Sequence, residues 1–284
     1  MQLYLDYFSQ HLFPASIIIM IFSLMIGSFL NVVIHRLPIM MQREWDSEIT
    51  GTEPADHYNL MTPHSSCPSC SSAIKWYHNI PLISYLFILR GKCANCHTLI
   101  SQRYPLVEFL TAIISVPIVY SYGVNEITLF ALIFSWVLIA LTFIDLDHFL
   151  LPDKLTLPLL WLGLLLNVNN TFTSLESAVY GAAAGYLSLW SIYWLFKLVT
   201  GKEGMGYGDF KLLAALGAWM GISALPLIIL LSSVSGILIA LILAVVHKKP
   251  LDKPIPFGPY LTIAGFFSLL YGEQITQLYL AAIL

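Results

Sequence analysis

Two acidic residues at the edges of apolar runs are the first candidates for chemistry. Asp145 closes the third such run in LIALTFIDLDHFLLPD, and Asp209 opens the sixth in GYGDFKLLAALGAWMG. A carboxylate beside hydrocarbon is expensive, so its presence there is a functional hypothesis by default. The two lie 64 residues apart in the chain, yet at similar depth, and they can meet if their helices pack together. Two carboxyl groups sharing one site repel as anions and tend to hold a single proton between them. That is the arrangement of an aspartyl protease: one carboxylate draws a proton from water while the other, protonated, donates to the scissile carbonyl. Gly204, Gly206 and Gly208 precede Asp209 and would let an extended substrate backbone approach closely. Glycines before a helix often make only a turn, and it is Asp209 that gives this run its catalytic reading. Asp147 and Asp153 crowd the same boundary as Asp145. They read either as supporting groups or as solvated loop acids, Asp153 suiting a helix N-terminus. His148 reads as polar surface, and Glu108 as the partner of a base such as Arg103 or Arg36.

A second chemical cluster is made of cysteine. Cys67-Pro-Ser-Cys70 and Cys93-Ala-Asn-Cys96 are paired CxxC motifs 22 residues apart, a spacing that suits two knuckles closing a tetrahedral thiolate site for zinc. Two disulfides are the competing reading, disfavoured on the reducing side of a membrane. Four thiolates leave no open coordination position, so the metal would be structural. With a complete set of cysteines, His64 and His97 read as surface residues.

The elements that must position these groups are membrane spans. The composition is 58% hydrophobic and only 10% charged, with mean hydropathy +0.78, against about 25% charged residues in soluble domains. Spans are predicted at 15–35, 104–122, 127–146, 155–168, 177–197, 209–222, 225–246 and 257–271. The first lacks the basic start and small-residue cleavage site of a secretory signal and is read as a retained span. The fourth and sixth are short for a crossing. The fold class is therefore all-α and polytopic: about eight transmembrane helices with a small zinc-stapled domain between the first and second. Residues 1–35 carry the first span, 36–103 the zinc-binding domain and 104–284 a seven-span catalytic domain. At 68 residues the middle piece is near the limit of what an apolar core alone stabilises, so a staple is expected. The polar stretch 42–57 is expected to be a mobile loop. The fifth span, with its YLSLWSIYWLF run, reads as lipid-facing, and Gly181 to Gly185 as a close-packing patch.

All 13 Lys and Arg fall in four regions: 36–103, Lys154, Lys197 to Lys211, and Lys248 to Lys253. Alternate loops have none. By the positive-inside rule, the zinc domain and the aspartates face the cytoplasm and both termini the periplasm. No basic run or aromatic-basic stripe suggests nucleic acid, and the net charge is only −3.

The motifs in their order resemble one family. GSFLNVVIHRLP at 27–38, the paired CxxC motifs, RYPLVE at 103–108, IDLDHFLLPD at 144–153, GKEGMGYGDFKLL at 201–213 and PIPFGPYL at 254–261 resemble the bifunctional type IV prepilin peptidases. Gly206-Tyr207-Gly208-Asp209 also looks like the signature of the wider GxGD intramembrane proteases. The resemblance implies an inner-membrane enzyme that removes a basic leader from type IV prepilins and type II secretion pseudopilins. Cleavage falls after glycine at the cytoplasmic face, and the new N-terminal residue is then methylated using S-adenosylmethionine. It implies Asp145 and Asp209 as the catalytic pair and the four cysteines as zinc ligands. Nothing in the residues themselves forms a dinucleotide-type fingerprint, and the middle segment is too short for a Rossmann methyltransferase. Arg90, Gly91 and Lys92, beside the second knuckle, are the expected place for the methyl donor, where a cation could engage its carboxylate.

Two other classes fit polytopic helices with acids. A proton-coupled transporter would place them at midplane within inverted repeats, whereas here they sit at one boundary and no repeat is visible. A noncatalytic assembly scaffold would use the zinc domain for docking and the aspartates as helix caps.

Overall fold

The structure, a computed structural model, describes residues 11–51, 58–247 and 255–283. Among these, regular structure is helical, with only two isolated antiparallel bridges, Ser66 to Ala73 and Lys92 to Leu99. The chain forms two compact units, Met1–Ala140 and Leu141–Leu284. Among the described residues an α-helix lies at each predicted place: α1 Leu12–Thr50, α2 Arg103–Tyr122, α3 Glu126–His148, α4 Asp153–Asn167, α5 Leu175–Thr200, α6 Tyr207–Met220, α7 Leu225–His247 and α8 Gly258–Ile283. Five stretches among the described residues are long and apolar enough to cross a membrane: α1, α2, α3, α5 and Ile222–Ile242 within the α7 region. They make this a membrane protein. Of the other three, α4 and α6 hold only 15 and 14 residues, fewer than the roughly 20 that a crossing takes.

In the first unit α1 packs along α2. The crossing is tight at Gly27, where a Cβ would lie 2.7 Å from the backbone of Glu108, and Asn31 Nδ2 donates to the Tyr104 carbonyl at 3.0 Å. α1 also runs on past its apolar part. Residues 42–50, expected in a loop, are its last turns. The reason is local: this stretch is rich in good helix formers, Gln42 Nε2 donates to Asp46 Oδ1 at 2.9 Å, and the helix stops only at Gly51, whose φ of 66° is left-handed. Residues 52–57 of the expected loop lie outside the described residues, as do Lys248, Lys249 and Lys253.

The second unit is built around α6. It packs against α4, α5 and α8, and Asp209, Phe210 and every residue from Leu212 to Trp219 are buried. Small residues allow this, as the sequence suggests. Gly181 of α5 meets Gly217 backbone to backbone, and a Cβ on Gly185 would lie 2.7 Å from the Leu213 carbonyl. Trp219, completely buried, packs its ring on Gly163 and donates Nε1–H to the Leu159 carbonyl of α4 at 2.8 Å. Asn167 satisfies the end of the short helix, donating to the carbonyls of Ala218 and Trp219 at 2.8 and 3.1 Å and accepting from the Phe172 and Thr173 amides. A 14-residue helix is thus tolerated because its end groups are met by protein side chains. On α5, Trp190, Ile192 and Leu195 are exposed, as expected of lipid-facing positions, while Tyr193 turns inward onto Tyr207 and Phe210.

Candidate active site and metal centre

Asp145 lies in the last turn of α3 and Asp209 in the first turn of α6. Both are buried, at 5% and 7% exposure, and Leu151 lies against their immediate neighbours, Gly208 beside Asp209 and Gly258 beside Asp145. The element that joins them is the first turn of α8. Gly258 N–H donates to Asp145 Oδ2 at 3.0 Å, and α8 in turn packs on α6, where a Cβ on Gly265 would lie 2.7 Å from the Leu216 side chain. The Thr142 and Thr262 hydroxyls meet at 2.6 Å one turn further along. Leu151 fills the space beneath both segments: a Cβ on Gly208 would stand 2.8 Å from Leu151 Cβ, and one on Gly258 would stand 3.1 Å from Leu151 Cδ2 and 2.6 Å from Asp145 Oδ2. One buried oxygen, Asp209 Oδ1, has no hydrogen-bond partner among the described residues. It is a group with capacity for a ligand.

The glycines before Asp209 divide their work. Gly204 faces the Phe196 ring and Gly208 faces Leu151, so both are taken up by packing. Gly206 alone has room: a Cβ there would find its nearest neighbour, Asp209 Oδ2, 3.8 Å away. Close approach of an extended chain is therefore open at Gly206, the N-cap of α6. Asp147 and His148 are exposed. Asp153, the first residue of α4, is bound through both oxygens by Lys211 Nζ at 2.7 Å, so it straps α4 to α6 two residues beyond Asp209. Sequence reasoning misses Gly258, Leu151 and Lys211. Gly258 sits inside the PIPFGPYL motif, the only signal for it.

In the first unit the four cysteine sulfurs lie within 4.8 Å of one another. Cys67 and Cys96 Sγ are 3.8 Å apart, the edge of a tetrahedron with metal–sulfur bonds of about 2.3 Å. The donor set therefore fits a closed metal site. Each CxxC makes the same turn. Cys67 N–H donates to Ser72 O and Cys93 N–H to Thr98 O, both at 2.9 Å, and the residues between, Ser71 and His97, are left-handed at φ 55° and 57°. A hydroxyl two residues past each second cysteine meets its sulfur, Ser72 on Cys70 at 3.0 Å and Thr98 on Cys96 at 3.2 Å. The Ser72 hydroxyl and amide, with the Asn95 side chain, bring the Cys70 thiol down to about 6, which favours the thiolate that a metal needs. His64 and His97 are exposed and outside the ligand cluster.

Among the described residues Glu108 meets a backbone amide and not a base. Its Oε2 accepts the Leu82 amide at 2.9 Å, while Arg36, also buried, donates to the carbonyls of Asn59 at 3.0 Å and Pro63 at 2.6 Å. Both side chains tie the cysteine segment to the helices through backbone groups, which carry no sequence signature. Arg90 and Gly91 form a left-handed turn at φ 48° and 73° that leads into the second knuckle, and Arg90 and Lys92 are exposed.

Comparison with known proteins adds the following. Residues 21–122 match the bacterial peptidase A24 N-terminal domain and residues 132–241 the type IV leader peptidase family. The chain is 58% identical over 270 residues to a prepilin leader peptidase/N-methyltransferase of Aeromonas hydrophila, covering 93% of each. It is 52% identical over 282 residues to that of Pseudomonas aeruginosa, covering 97% of each. The protein of the same name from Neisseria gonorrhoeae is 50% identical over 254 residues, with 87% of each covered. No solved structure matches the chain.

Proposed function

The chain belongs to the prepilin leader peptidase/N-methyltransferase family, and from that premise we propose that it cleaves the leader from type IV prepilins and type II secretion pseudopilins. Cleavage follows glycine at the cytoplasmic face of a bacterial inner membrane, and methylation of the new N-terminal residue comes next. All eight helices cross the bilayer in this reading, with both termini periplasmic. Residues 1–35, 36–103 and 104–284 act as first span, metal-bearing part and peptidase part.

The observation that carries the peptidase half is that Asp145 and Asp209, at helix ends distant in the chain, are both buried and flanked by one packed group, Leu151 lying against Gly208 and Gly258. Asp145, which accepts the Gly258 amide, is the carboxylate suited to hold the charge and draw a proton from water. Asp209, with a buried oxygen that lacks a partner, is suited to hold the shared proton and donate it to the scissile carbonyl. Asp147 and Asp153 support the boundary, Asp153 through Lys211. Gly206 admits the substrate backbone beside Asp209, and Gly208 lets Leu151 close the floor. Cys67, Cys70, Cys93 and Cys96 would hold zinc, whose complete thiolate set supplies fold stability. S-adenosylmethionine supplies the methyl group. Arg90 and Lys92, flanking Gly91, would engage its carboxylate.

The test is direct. Purified full-length protein in liposomes, given a prepilin, should shorten it by the mass of its leader, then raise its mass by one CH2, a methyl replacing a hydrogen, when the donor is supplied. A transporter or a scaffold would leave the substrate mass unchanged.

A further inference from the structure

The cysteine segment, expected to be a small domain standing in water, carries an apolar surface that water disfavours. After Leu82 the chain makes a π-helical turn, Ser84–Ile88, and while Ser84 is buried, the large apolar side chains here face outward: Ile83, just before the turn, is 54% exposed, Leu86 57% and Phe87 73%. Ile88 is exposed beside them. A contiguous exposed apolar cluster of this kind marks a contact with a partner or with lipid. We propose that the Ile83–Ile88 turn is a bilayer anchor, its apolar side chains seated among acyl chains and the acid-free, cationic segment that carries it set against anionic lipid headgroups. This rests on α1 and α2 being membrane helices.

Three observations select the bilayer as occupant. The first is depth. Glu108, which holds the Leu82 amide, lies five residues into α2 from Arg103, so the turn hangs about 7.5 Å below the polar start of that helix at 1.5 Å per residue. The second is continuity, because Leu106, Phe109 and Ile113 of α2 are exposed too and extend the apolar surface down the same helix. The third is charge. No Asp or Glu occurs from Tyr58 to Val107, while Lys75, Arg90, Lys92 and Arg103 do. The segment stays cationic after four thiolates and a divalent metal are counted. Such a surface attracts phosphate headgroups and repels a basic leader peptide. The other end of the module is held much further out. Arg36, which clamps Asn59 and Pro63, lies nine residues along α1 from the Gly27 crossing, or about 13 Å. The module is thereby stood on edge, with one end dipped and the other raised.

The test uses the full-length protein in liposomes of phosphatidylglycerol and phosphatidylcholine, with p-benzoylphenylalanine placed at position 87 or, as the raised control, at position 61. Met61 is 84% exposed on the same segment. Metal content measured on each variant verifies that the module is folded. Illumination should give a phospholipid adduct, read by intact mass, several-fold more abundant at 87 than at 61 and enriched in phosphatidylglycerol over its share of the bilayer. Equal yields at the two positions, adducts without enrichment in the anionic lipid, or crosslinks at 87 mainly to a second copy or to added prepilin would overturn the anchor.

Discussion

The metal-bearing segment and the aspartate site solve opposite problems. Around the cysteines the backbone repeats one small turn twice, only Cys67 of the four is buried, and each knuckle sets a nearby hydroxyl on its second sulfur. Such a segment has little core to bury, so its order depends on four bonds to one ion. The aspartate site is instead assembled from the ends of separate helices. The carboxyls are held by helices packed so closely that Gly181, Gly208 and Gly258 have no room for a methyl group. One region draws its geometry from a ligand and the other from steric fit, so they should fail under different insults.

The largest effect should come from removing the metal. Structural zinc contributes on the order of 10–16 kcal/mol of apparent binding free energy to small modules. Chelation, or Cys67→Ser, should therefore leave residues 58–103 open to limited proteolysis while the helices of the second unit keep their protection. Hydrogen exchange across both regions would read this. If the segment stays protected after complete metal loss, the contrast between the two regions is broken.

Next in size is the loss of either carboxyl. Asp145→Asn and Asp209→Asn should each lower leader cleavage by about 10²–10⁴-fold, the usual worth of positioned acid–base groups, with metal content unchanged. Cleavage retained in one variant would remove that residue from the pair. Gly258→Ala should follow, at about 10²-fold, because a Cβ there stands 2.6 Å from Asp145 Oδ2 and a carboxyl displaced by about 1 Å loses that much. Normal cleavage by this variant would mean that steric fit at Gly258 does not govern the site.

How far this could be read beforehand differs between the two regions as well. The cysteine pairs declare themselves, since ligand identity and spacing are properties of the sequence. The two aspartates also declare themselves, because an acid next to an apolar run is conspicuous. What joins them is silent. The Gly258 amide and the Leu151 floor come from segments that a hydropathy pattern treats as ordinary helix start and loop, and a backbone N–H donor has no residue type. The same blindness explains Glu108 and Arg36, each expected to seek an opposite charge and each found on backbone groups. Short spans were visible as short. That α6 can be short because Asn167 and Trp219 complete its end with cross-helix bonds required coordinates.

A finer prediction separates knuckle chemistry from knuckle shape. The Ser72 hydroxyl is the leading cause of the low value of about 6 at Cys70. A depressed pKa favours the thiolate above it, and metal is lost as pH falls and the sulfurs protonate. Ser72→Ala raises the Cys70 value, so the pH midpoint of metal release should move upward, measured by a chromophoric chelator across a pH series. An unchanged midpoint would assign Ser72 to the turn alone.

The smallest expected effect lies at the rim of the aspartate site. Lys211 holds both oxygens of Asp153 at 2.7 Å, but the two side chains are 30% and 51% exposed. A partly solvated pair of this kind is worth under about 1 kcal/mol. Lys211→Met, which keeps the apolar stem and removes the charge, should lower the midpoint of thermal unfolding only slightly and leave cleavage within a few-fold of the original. That outcome is what steric fit requires, because the carboxyl geometry is set by Gly258, Leu151 and Gly208 beneath the strap. A loss of cleavage comparable to that of Gly258→Ala, with the fold intact by circular dichroism, would instead make the charge of Lys211 part of what holds Asp209 in place.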